Sequence, residues 1–417
     1  MNQLKYSLAL AAAVGLLSGC NDAADIAPPA DDFPGTPPPT VQAPDNTADT
    51  LEADEPAVDT TADGSNSDRP FTVSEVTQFE YPWAMTFLPD GRLLVTQMSG
   101  ALRLYDIDND AMGTIDGVPA VNHVAQGGLG DVVLHPQYDD NQLVYISYVE
   151  SDDEGLMGAA VARARLALND DNGGSLEDLE VIWRQMPKKS GDGHFGYRIA
   201  FDEDGMLWIS SSERKEFDPA QEMETNLGKI VRLNDDGSVP DDNPFADQGE
   251  VAAQVWSLGH RNILGMAFDA EGRLWAHEMG PKDGDELNLI ERGANYGYPL
   301  VSNGNHYDDT PIPDHDTRPE FNAPVITWTP VISPAGFVIY DGELFSDWQG
   351  SGFIGGMSSM ALVRVAFDGD SAREAERFDM ERRIREVEQG PDGAIWLLED
   401  GTRGGQSALL KLTPADQ

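Results

Sequence analysis

Four parts of this sequence carry polar side chains that could converge on a ligand, and three of them also contain glycines, which let a backbone approach a ligand closely. Histidines in these segments are candidates for proton transfer, because histidine titrates near neutral pH. Arginines are candidates for anion binding, because a guanidinium makes paired hydrogen bonds to carboxylates. The segments are residues 126–129 (QGGL), 194–198 (HFGYR), 259–262 (GHRN) together with 277–281 (HEMGP), and 382–385 (RRIR).

A repeated phrase surrounds these segments and indicates how they are positioned. Apolar residues lead into a Pro/Asp/Gly turn, and a short run of branched and aromatic residues follows. Six copies begin at residues 85, 132, 199, 266, 337 and 387. Each copy predicts a β-hairpin, and their spacing predicts an all-β chain folded as a six-bladed β-propeller. Propeller loops gather at one end of the central channel, so the four segments are expected to share a pocket.

The N-terminal sequence predicts export. A lysine precedes a short apolar run that ends in Leu-Ser-Gly-Cys, which resembles the lipobox of bacterial lipoproteins. We therefore expect a lipoprotein signal peptide over residues 1–19, a lipid on Cys20, and a periplasmic or cell-envelope location on a bacterial membrane. An ordinary secretory signal with an incidental cysteine is the alternative. Cys20 is the only cysteine, so no disulfide forms within the chain.

The remaining chain divides by composition. Residues 20–69 contain few large apolar side chains and are expected to form a disordered acidic linker. Residues 70–417 are long enough for one large core, the propeller domain. The net charge of −46 argues against nucleic acid and anionic membrane surfaces as partners. Its carboxylates are spread along the chain, which is typical of surface solvation.

Much of the chain resembles a known family. Ordered similarity from about residue 82 to residue 412 includes PWAMTFLPDGRLLVT, QGGLGDVVLHPQY, GHFGYRIAFDEDG, GHRNILGMAFD, MGPKDGDELNLIERGANYGYP and RRIREVEQGPDGAIWLL. These segments resemble the soluble sugar dehydrogenases that depend on pyrroloquinoline quinone (PQQ), especially the aldose sugar dehydrogenase branch. The resemblance implies a six-bladed propeller that binds PQQ and calcium and oxidises aldoses to lactones. An electron acceptor is also implied but not identified.

The resemblance assigns roles to the candidate residues. His194 matches the general base, which would take the hydroxyl proton as hydride leaves, and Glu213 matches its acidic partner. Arg261, Arg383 and Arg385 match arginines that contact PQQ, whose three carboxylates require cations. The cofactor-binding set is completed by Asn262 and by Gln126, which matches a position contacting substrate or cofactor. Taken alone, the Arg-x-Arg pair is more typical of a salt-bridged strand face.

The implied metal is calcium, which prefers oxygen ligands. Gly280 and Pro281 match positions whose carbonyl oxygens hold the active-site ion, and Asp285 is a candidate for support. Glu286 and Tyr296 match a second, structural calcium site. Without the motif, carboxylates in so acidic a chain would be weak indicators of a metal.

Two positions depart from the glucose-oxidising branch. Leu264 replaces a glutamine, and Ser358 is the best match to a lysine that faces PQQ, so substrate preference does not transfer. Two other functions stay open. A calcium-dependent lactonase would need several carboxylates converging on one ion, and a non-catalytic propeller module would be expected to lose His194 or the Arg383/Arg385 pair.

Overall fold

The structure, a computed structural model, describes residues 69–401 and 405–415. The expected signal peptide, the lipidated Cys20 and the linker up to residue 68 lie outside the described residues. Among the described residues no helix is both long enough and apolar enough to cross a lipid bilayer.

Strands dominate the described residues, which confirms the prediction of an all-β chain. The strands are β1 (Phe71–Glu80), β2 (Pro82–Phe87), β3 (Leu93–Gln97), β4 (Ala101–Asp106), β5 (Ala111–Asp116), β6 (Leu129–Leu134), β7 (Leu143–Ser151), β8 (Met157–Leu168), β9 (Gly174–Arg184), β10 (Gly196–Phe201), β11 (Leu207–Ser211), β12 (Lys229–Leu233), β13 (Val255–Leu258), β14 (Ile263–Phe268), β15 (Leu274–Glu278), β16 (Asp285–Ile290), β17 (Ile326–Trp328), β18 (Pro334–Ile339), β19 (Gly352–Gly356), β20 (Ala361–Asp368), β21 (Ser371–Asp379), β22 (Ile384–Gln389), β23 (Ile395–Glu399) and β24 (Gln406–Pro414). Helical segments are short: α1 (Tyr138–Asn141) and the 3-10 turns Asp218–Gln221, Ala252–Gln254, His315–Thr317 and Ser346–Trp348.

Hydrogen bonds group these strands into sets of four. Three sheets have the simple orders β10-β11-β12-β13, β14-β15-β16-β17 and β18-β19-β20-β21. A fourth has the order β1-β24-β23-β22, so strands from both ends of the described chain lie side by side. The fifth sheet has eight strands, in which the set β2 to β5 joins the set β6 to β9 through a short parallel pairing of β5 with β9.

The six repeated phrases form hairpins, as predicted. They connect β2 to β3, β6 to β7, β10 to β11, β14 to β15, β18 to β19, and β22 to β23. The turn between β10 and β11 shows why the residue types matter. Asp202 Oδ1 accepts N–H bonds from Asp204 at 3.1 Å and Met206 at 2.8 Å, and Gly205 adopts φ +79°, a left-handed conformation that glycine tolerates.

The first strands of the six sets pack in a closed ring. Along the ring β2 contacts β6, which contacts β10, and contacts continue through β14, β18 and β22 back to β2. The apolar core fills the space between neighbouring sheets. Trp275 of β15 and Leu287 of β16, for example, belong to one buried cluster with Phe337 of β18 and Val363 of β20. The ring strands are therefore held from both sides, and their starting points are fixed relative to one another.

A charged layer crosses the interior of this ring. A cavity of about 180 Å³ is bounded by residues of all six ring strands, including Asp131, Arg198 and Glu386. Arg198 Nη1 donates to Glu386 Oε2 at 2.5 Å and lies 3.5 Å from Asp131 Oδ1. The guanidinium also lies 4.1 Å from the ring centroid of Trp83. These contacts connect β6, β10 and β22. Asp131, Arg198 and Glu386 each follow a predicted site residue by one to five positions in the chain.

Candidate active site

The predicted site residues lie where ring strands begin. His194 precedes β10 by two residues, Arg261 and Asn262 directly precede β14, and Arg383 directly precedes β22, which contains Arg385. Arg385 also influences a residue of β10, on the opposite side of the ring, through its charge. Its charge opposes the rise that burial produces in the pKa of Tyr197, a residue of β10. The segments predicted to converge are therefore brought to the same end of the ring.

His194 and Glu213 form a buried pair. Nδ1 of His194 lies 2.6 Å from Oε1 of Glu213, whose carboxylate is fully buried. The other oxygen of Glu213 accepts the N–H of Glu216 at 2.9 Å. Glu213 follows β11 by two residues, so the hairpin after His194 returns the chain to it. The arrangement fixes one imidazole nitrogen and leaves Nε2 to accept a proton.

The electrostatics of the pair favour a neutral imidazole beside an ionised carboxylate. Burial lowers the pKa of His194, and this effect outweighs the neighbouring carboxylate, which raises it. Burial by itself would raise the pKa of Glu213, but the hydrogen bond from His194, the charge of Arg261 and the N–H of Glu216 act in the opposite direction, and the pKa is lowered overall. Nδ1–H therefore donates to Glu213 at neutral pH. A histidine in this state is ready to act as a base.

The backbone of His194 is also constrained. Its φ of +51° lies in the left-handed region, which is uncommon for residues other than glycine. Its N–H donates to Oε1 of Gln126 at 2.9 Å, and the carbonyl of Gln126 accepts the hydroxyl of Tyr197 at 3.1 Å. Gln126, expected at a ligand contact, thus holds the backbone of the base in this structure. Strained backbone of this kind clusters at functional sites.

Arg383 and Arg385 share one carboxylate that the sequence analysis did not identify. Nε of Arg383 lies 2.8 Å from Oδ2 of Asp400, and Nη2 of Arg385 lies 2.8 Å from Oδ1. Asp400 is fully buried on its side chain. Both arginines thus reach the same carboxylate, which is the salt bridge of the alternative interpretation. Two guanidiniums on one carboxylate nevertheless leave a surplus positive charge, which favours binding of an anion.

The pairing predicts a large effect on stability. Changing Asp400→Asn leaves two guanidiniums without their shared carboxylate, and we expect the free energy of unfolding to fall by about 3 kcal/mol. Urea unfolding followed by circular dichroism measures it. The matched control is Asp392→Asn, which breaks an exposed 2.6 Å pair with Lys411 and should change stability by less than about 1 kcal/mol. Equal effects of the two changes would contradict the structural role of Asp400.

Arg261 and Asn262 carry polar atoms that have no partner among the described residues. Nη1 of Arg261 donates to the carbonyls of Met279 at 3.0 Å and Gly280 at 2.5 Å. Its Nε and Oδ1 of Asn262 are buried without a hydrogen-bond partner in the described parts of the chain. Buried polar atoms are rarely left unsatisfied in folded proteins. Such atoms fit a pocket that a polar ligand completes.

Glu278 organises this segment and was named in the sequence only as part of a motif. Its carboxylate accepts the N–H of Arg261 at 2.6 Å and lies 2.9 Å from Nδ1 of His260. Asn288 Nδ2 donates to it at 3.1 Å. The position of the predicted Glu213 could have indicated the two carboxylates that were missed, Glu278 and Asp400. All three lie at the end of the second strand of a repeated hairpin or just beyond it.

The predicted calcium residues are brought together. Gly280, Pro281, Glu286 and Tyr296 all line one cavity of about 10 Å³, near the size that holds one water molecule or ion. Glu286 is buried, which raises its pKa, and His315 Nε2 lies 3.6 Å from its Oε1. A cation in the cavity would offset this buried charge. The donor set therefore fits a hard cation.

Asp285 supports the cavity wall. Its Oδ1 accepts the N–H of Gly280 at 2.9 Å, and Oδ2 accepts those of Ile332 at 2.8 Å and Ser333 at 2.7 Å. Burial raises the pKa of Asp285 to about 6. Within residues 69–401 and 405–415 no group of three or more His, Cys, Asp or Glu could hold a metal ion. An ion here would thus need backbone carbonyls, as the carbonyls of Gly280 and Pro281 were expected to provide.

The two departures from the glucose-oxidising pattern have local roles. Leu264 is a ring-strand residue whose carbonyl accepts Nε of Arg198 at 2.8 Å. Ser358 is exposed, and its hydroxyl donates to the carbonyl of Val331 at 3.3 Å. Neither residue brings a charge to the site. The sequence analysis did not single out two exposed aromatic residues: Tyr307, whose ring centroid lies 5.9 Å from the guanidinium of Arg261, and Phe217, whose ring contacts Tyr298.

Known proteins resemble this chain in sequence and in fold. Residues 79–411 match the family described as Glucose / Sorbosone dehydrogenase. The aldose sugar dehydrogenase YliI of Escherichia coli is 38% identical over 356 residues, which cover 83% of this chain and 94% of that protein. The apo crystal structure of the soluble E. coli aldose sugar dehydrogenase superposes with a TM-score of 0.77 at 36% identity, covering 83% of this chain and 100% of that one. A PQQ-bound aldose sugar dehydrogenase from Streptomyces coelicolor gives 0.68 at 27% identity, covering 82% and 98%.

Proposed function

Because this chain belongs to the glucose/sorbosone dehydrogenase family, we propose that it is a quinoprotein that oxidises aldose sugars at the anomeric carbon to lactones, with PQQ as hydride acceptor. One observation carries the proposal. A buried His–Glu pair at 2.6 Å lies at the same end of the ring as three arginines, Arg261, Arg383 and Arg385. A base beside an anion-binding surface is what hydride transfer from a sugar to a polycarboxylate cofactor needs.

The residues of this chain would bind and orient the cofactor. Bound PQQ supplies a quinone that accepts two electrons as hydride. The surplus charge of the Arg383/Arg385/Asp400 cluster suits its carboxylates, and the unpartnered Nε of Arg261 and Oδ1 of Asn262 offer further hydrogen bonds. Arg261 borders the calcium cavity, and its Nη1 already donates to the carbonyl of Gly280.

His194 performs the proton transfer in this proposal. Nε2 takes the proton of the anomeric hydroxyl while the hydrogen on carbon leaves as hydride, and the sugar carbon becomes a lactone carbonyl. Glu213 accepts the Nδ1–H bond and stabilises the imidazolium that forms. Calcium, held through the carbonyls of Gly280 and Pro281, would supply Lewis acidity. Glu286 and Tyr296 line the same cavity and would be donors to the same ion.

The pH dependence of the rate follows from the state of His194. The base must be neutral, so kcat/KM should rise with pH and reach its plateau above the pKa of His194. Burial lowers that pKa from 6.5, so the midpoint should lie below pH 6.5. Changing Glu213→Gln removes the charge that raises the pKa, and the midpoint should move to still lower pH. A midpoint above that of ordinary histidine in the wild-type protein would contradict this assignment.

Product analysis tests the reaction itself. The full chain loaded with PQQ and Ca²⁺ would be incubated with an aldose and an electron-accepting dye, and the products followed by NMR. We expect one lactone to appear for each two electrons delivered to the dye. Hydrolysis of added lactone without dye reduction would indicate the lactonase alternative. Absence of both reactions, with PQQ bound, would indicate a binding module.

The finer architecture and location belong to the same proposal. We infer that the six four-stranded sets are the blades of a propeller, supported by the closed ring of first strands and by the pairing of β1 with β24. The lipobox-like sequence before Cys20 supports a lipoprotein tethered in the periplasm or cell envelope. The protein would transfer its electrons to an acceptor in the same compartment.

A further inference from the structure

Arg214 directly follows Glu213 and is itself almost fully buried, with 2% of its surface exposed. Among the described residues, the hydrogen bonds of its guanidinium go to three backbone carbonyls. Nε donates to the carbonyl of Gly193 at 2.9 Å, Nη1 to that of Met157 at 2.6 Å, and Nη2 to that of Gly191 at 2.6 Å. The same group lies 3.9 Å from the ring centroid of Phe195. Burial lowers the pKa of Arg214 to about 10, so it stays charged at neutral pH.

These contacts surround the backbone of His194. Gly191 and Gly193 precede it in the chain, and Phe195 follows it. The N–H of Arg214 also donates to the carbonyl of His194 at 3.2 Å. The adjacent residues Glu213 and Arg214 therefore hold His194 in two ways. Glu213 bonds to its imidazole, and Arg214 bonds to backbone carbonyls of its loop.

The local backbone conformation supports a dedicated role. Both residues of the contact are strained, because His194 has φ +51° and Arg214 has φ +63°. Left-handed backbone at residues other than glycine persists only where surrounding contacts enforce it, and it clusters at functional sites. The planar guanidinium suits three carbonyls spread around it, whereas the compact ammonium of lysine could not span the same set.

We propose that Arg214 is a positioning residue for the base, holding the 191–194 loop so that the imidazole of His194 stays seated on Glu213. The reaction it serves is the proposed sugar oxidation, but the positioning is a property of the cofactor-free protein. A merely structural arginine would affect folding without changing the titration of His194.

The test compares Arg214→Met and Arg214→Lys in the full chain. NMR of histidine-labelled, cofactor-free protein follows the pKa of His194, with its signal assigned from His194→Ala. In Arg214→Met we expect the loop to relax and admit water, so the pKa of His194 should rise toward its ordinary value. After loading with PQQ and Ca²⁺, kcat should fall about 10- to 100-fold, while the Kd for PQQ changes less than about twofold. Arg214→Lys should be intermediate.

A matched control is Arg364→Met. Arg364 is a partly buried arginine of β20, with Nε bonded to Glu376 at 2.6 Å and Nη1 to Ser351 at 2.9 Å, and this change should leave the His194 titration and kcat unaltered. If folded Arg214→Met keeps the wild-type pKa and kcat, the proposal is wrong. If Arg214→Met does not fold, Arg214→Lys decides in the same way. Failure of both variants to fold would show that Arg214 serves the fold alone, which also overturns the proposal. If the wild-type protein oxidises no sugar, the proposed function fails, and the NMR titration still decides the role of Arg214.

Discussion

Replacing His194 by alanine should reduce sugar oxidation by about 10²- to 10⁴-fold, the range that a positioned base contributes. The imidazole is held by Glu213 at 2.6 Å and by Gln126 through the backbone at 2.9 Å. Alanine keeps the backbone contact and loses only the base. Binding of PQQ should persist, because the arginines proposed to bind it are unaltered. Dye-coupled turnover and PQQ titration, measured on the same preparation, separate the two effects.

Two further variants sharpen this result. Glu213→Gln should also slow turnover, since an uncharged amide cannot stabilise the imidazolium as the carboxylate does. His123→Ala removes an exposed histidine whose ring contacts Tyr81, and its turnover should match the wild type. Near-normal rates in His194→Ala would show that another group takes the proton.

Replacing Arg383 by alanine should weaken PQQ binding about 10- to 100-fold, because a charge-assisted hydrogen bond contributes about 1.5–3 kcal/mol. Arg383 is the more exposed member of the pair on Asp400, at 23% against 10% for Arg385. Its loss does not leave the buried carboxylate alone, since Arg385 keeps its own 2.8 Å bond. Folding should therefore survive, and the change in affinity reports the contact with PQQ. Fluorescence titration of the cofactor-free protein measures it.

The neighbouring residue provides the matched control. Arg382 pairs with Glu75 at 3.2 Å and Glu399 at 3.3 Å on the outer side of the sheet. Arg382→Ala removes the same charge from an adjacent position, and the Kd for PQQ should stay within about twofold of the wild type. An unchanged Kd in Arg383→Ala, or equal losses in both variants, would mean that Arg383 only neutralises Asp400.

The sequence predicts those features of the molecule that depend on residues close together in the chain. The hairpins follow from local turn chemistry, such as the bonds that Asp202 makes two and four residues ahead. Arg383 and Arg385 are two residues apart, a spacing that puts side chains of an extended backbone on one side, and both reach Asp400. The pairing of His194 with Glu213 follows from the family motif and from the hairpin that joins them.

The contacts that were missed depend on segments meeting in three dimensions. Arg214 binds carbonyls up to 57 residues earlier in the chain, and no side-chain pattern marks a carbonyl as an acceptor. Glu278 looks like an ordinary end of a strand until the 259–262 segment folds onto it. A buried carboxylate in an acidic chain is also hard to recognise, because most of the 73 Asp and Glu residues have no partner that the sequence reveals.

The central claim is that this chain is a PQQ-dependent sugar dehydrogenase, and reconstitution tests it most directly. The purified full chain, freed of cofactor and metal, would be mixed with PQQ, with Ca²⁺, with both or with neither, and dye reduction followed with a panel of aldoses. We predict sugar-dependent reduction only when PQQ and Ca²⁺ are both present. Failure to bind PQQ, or no reduction with any aldose although PQQ is bound, would contradict the claim.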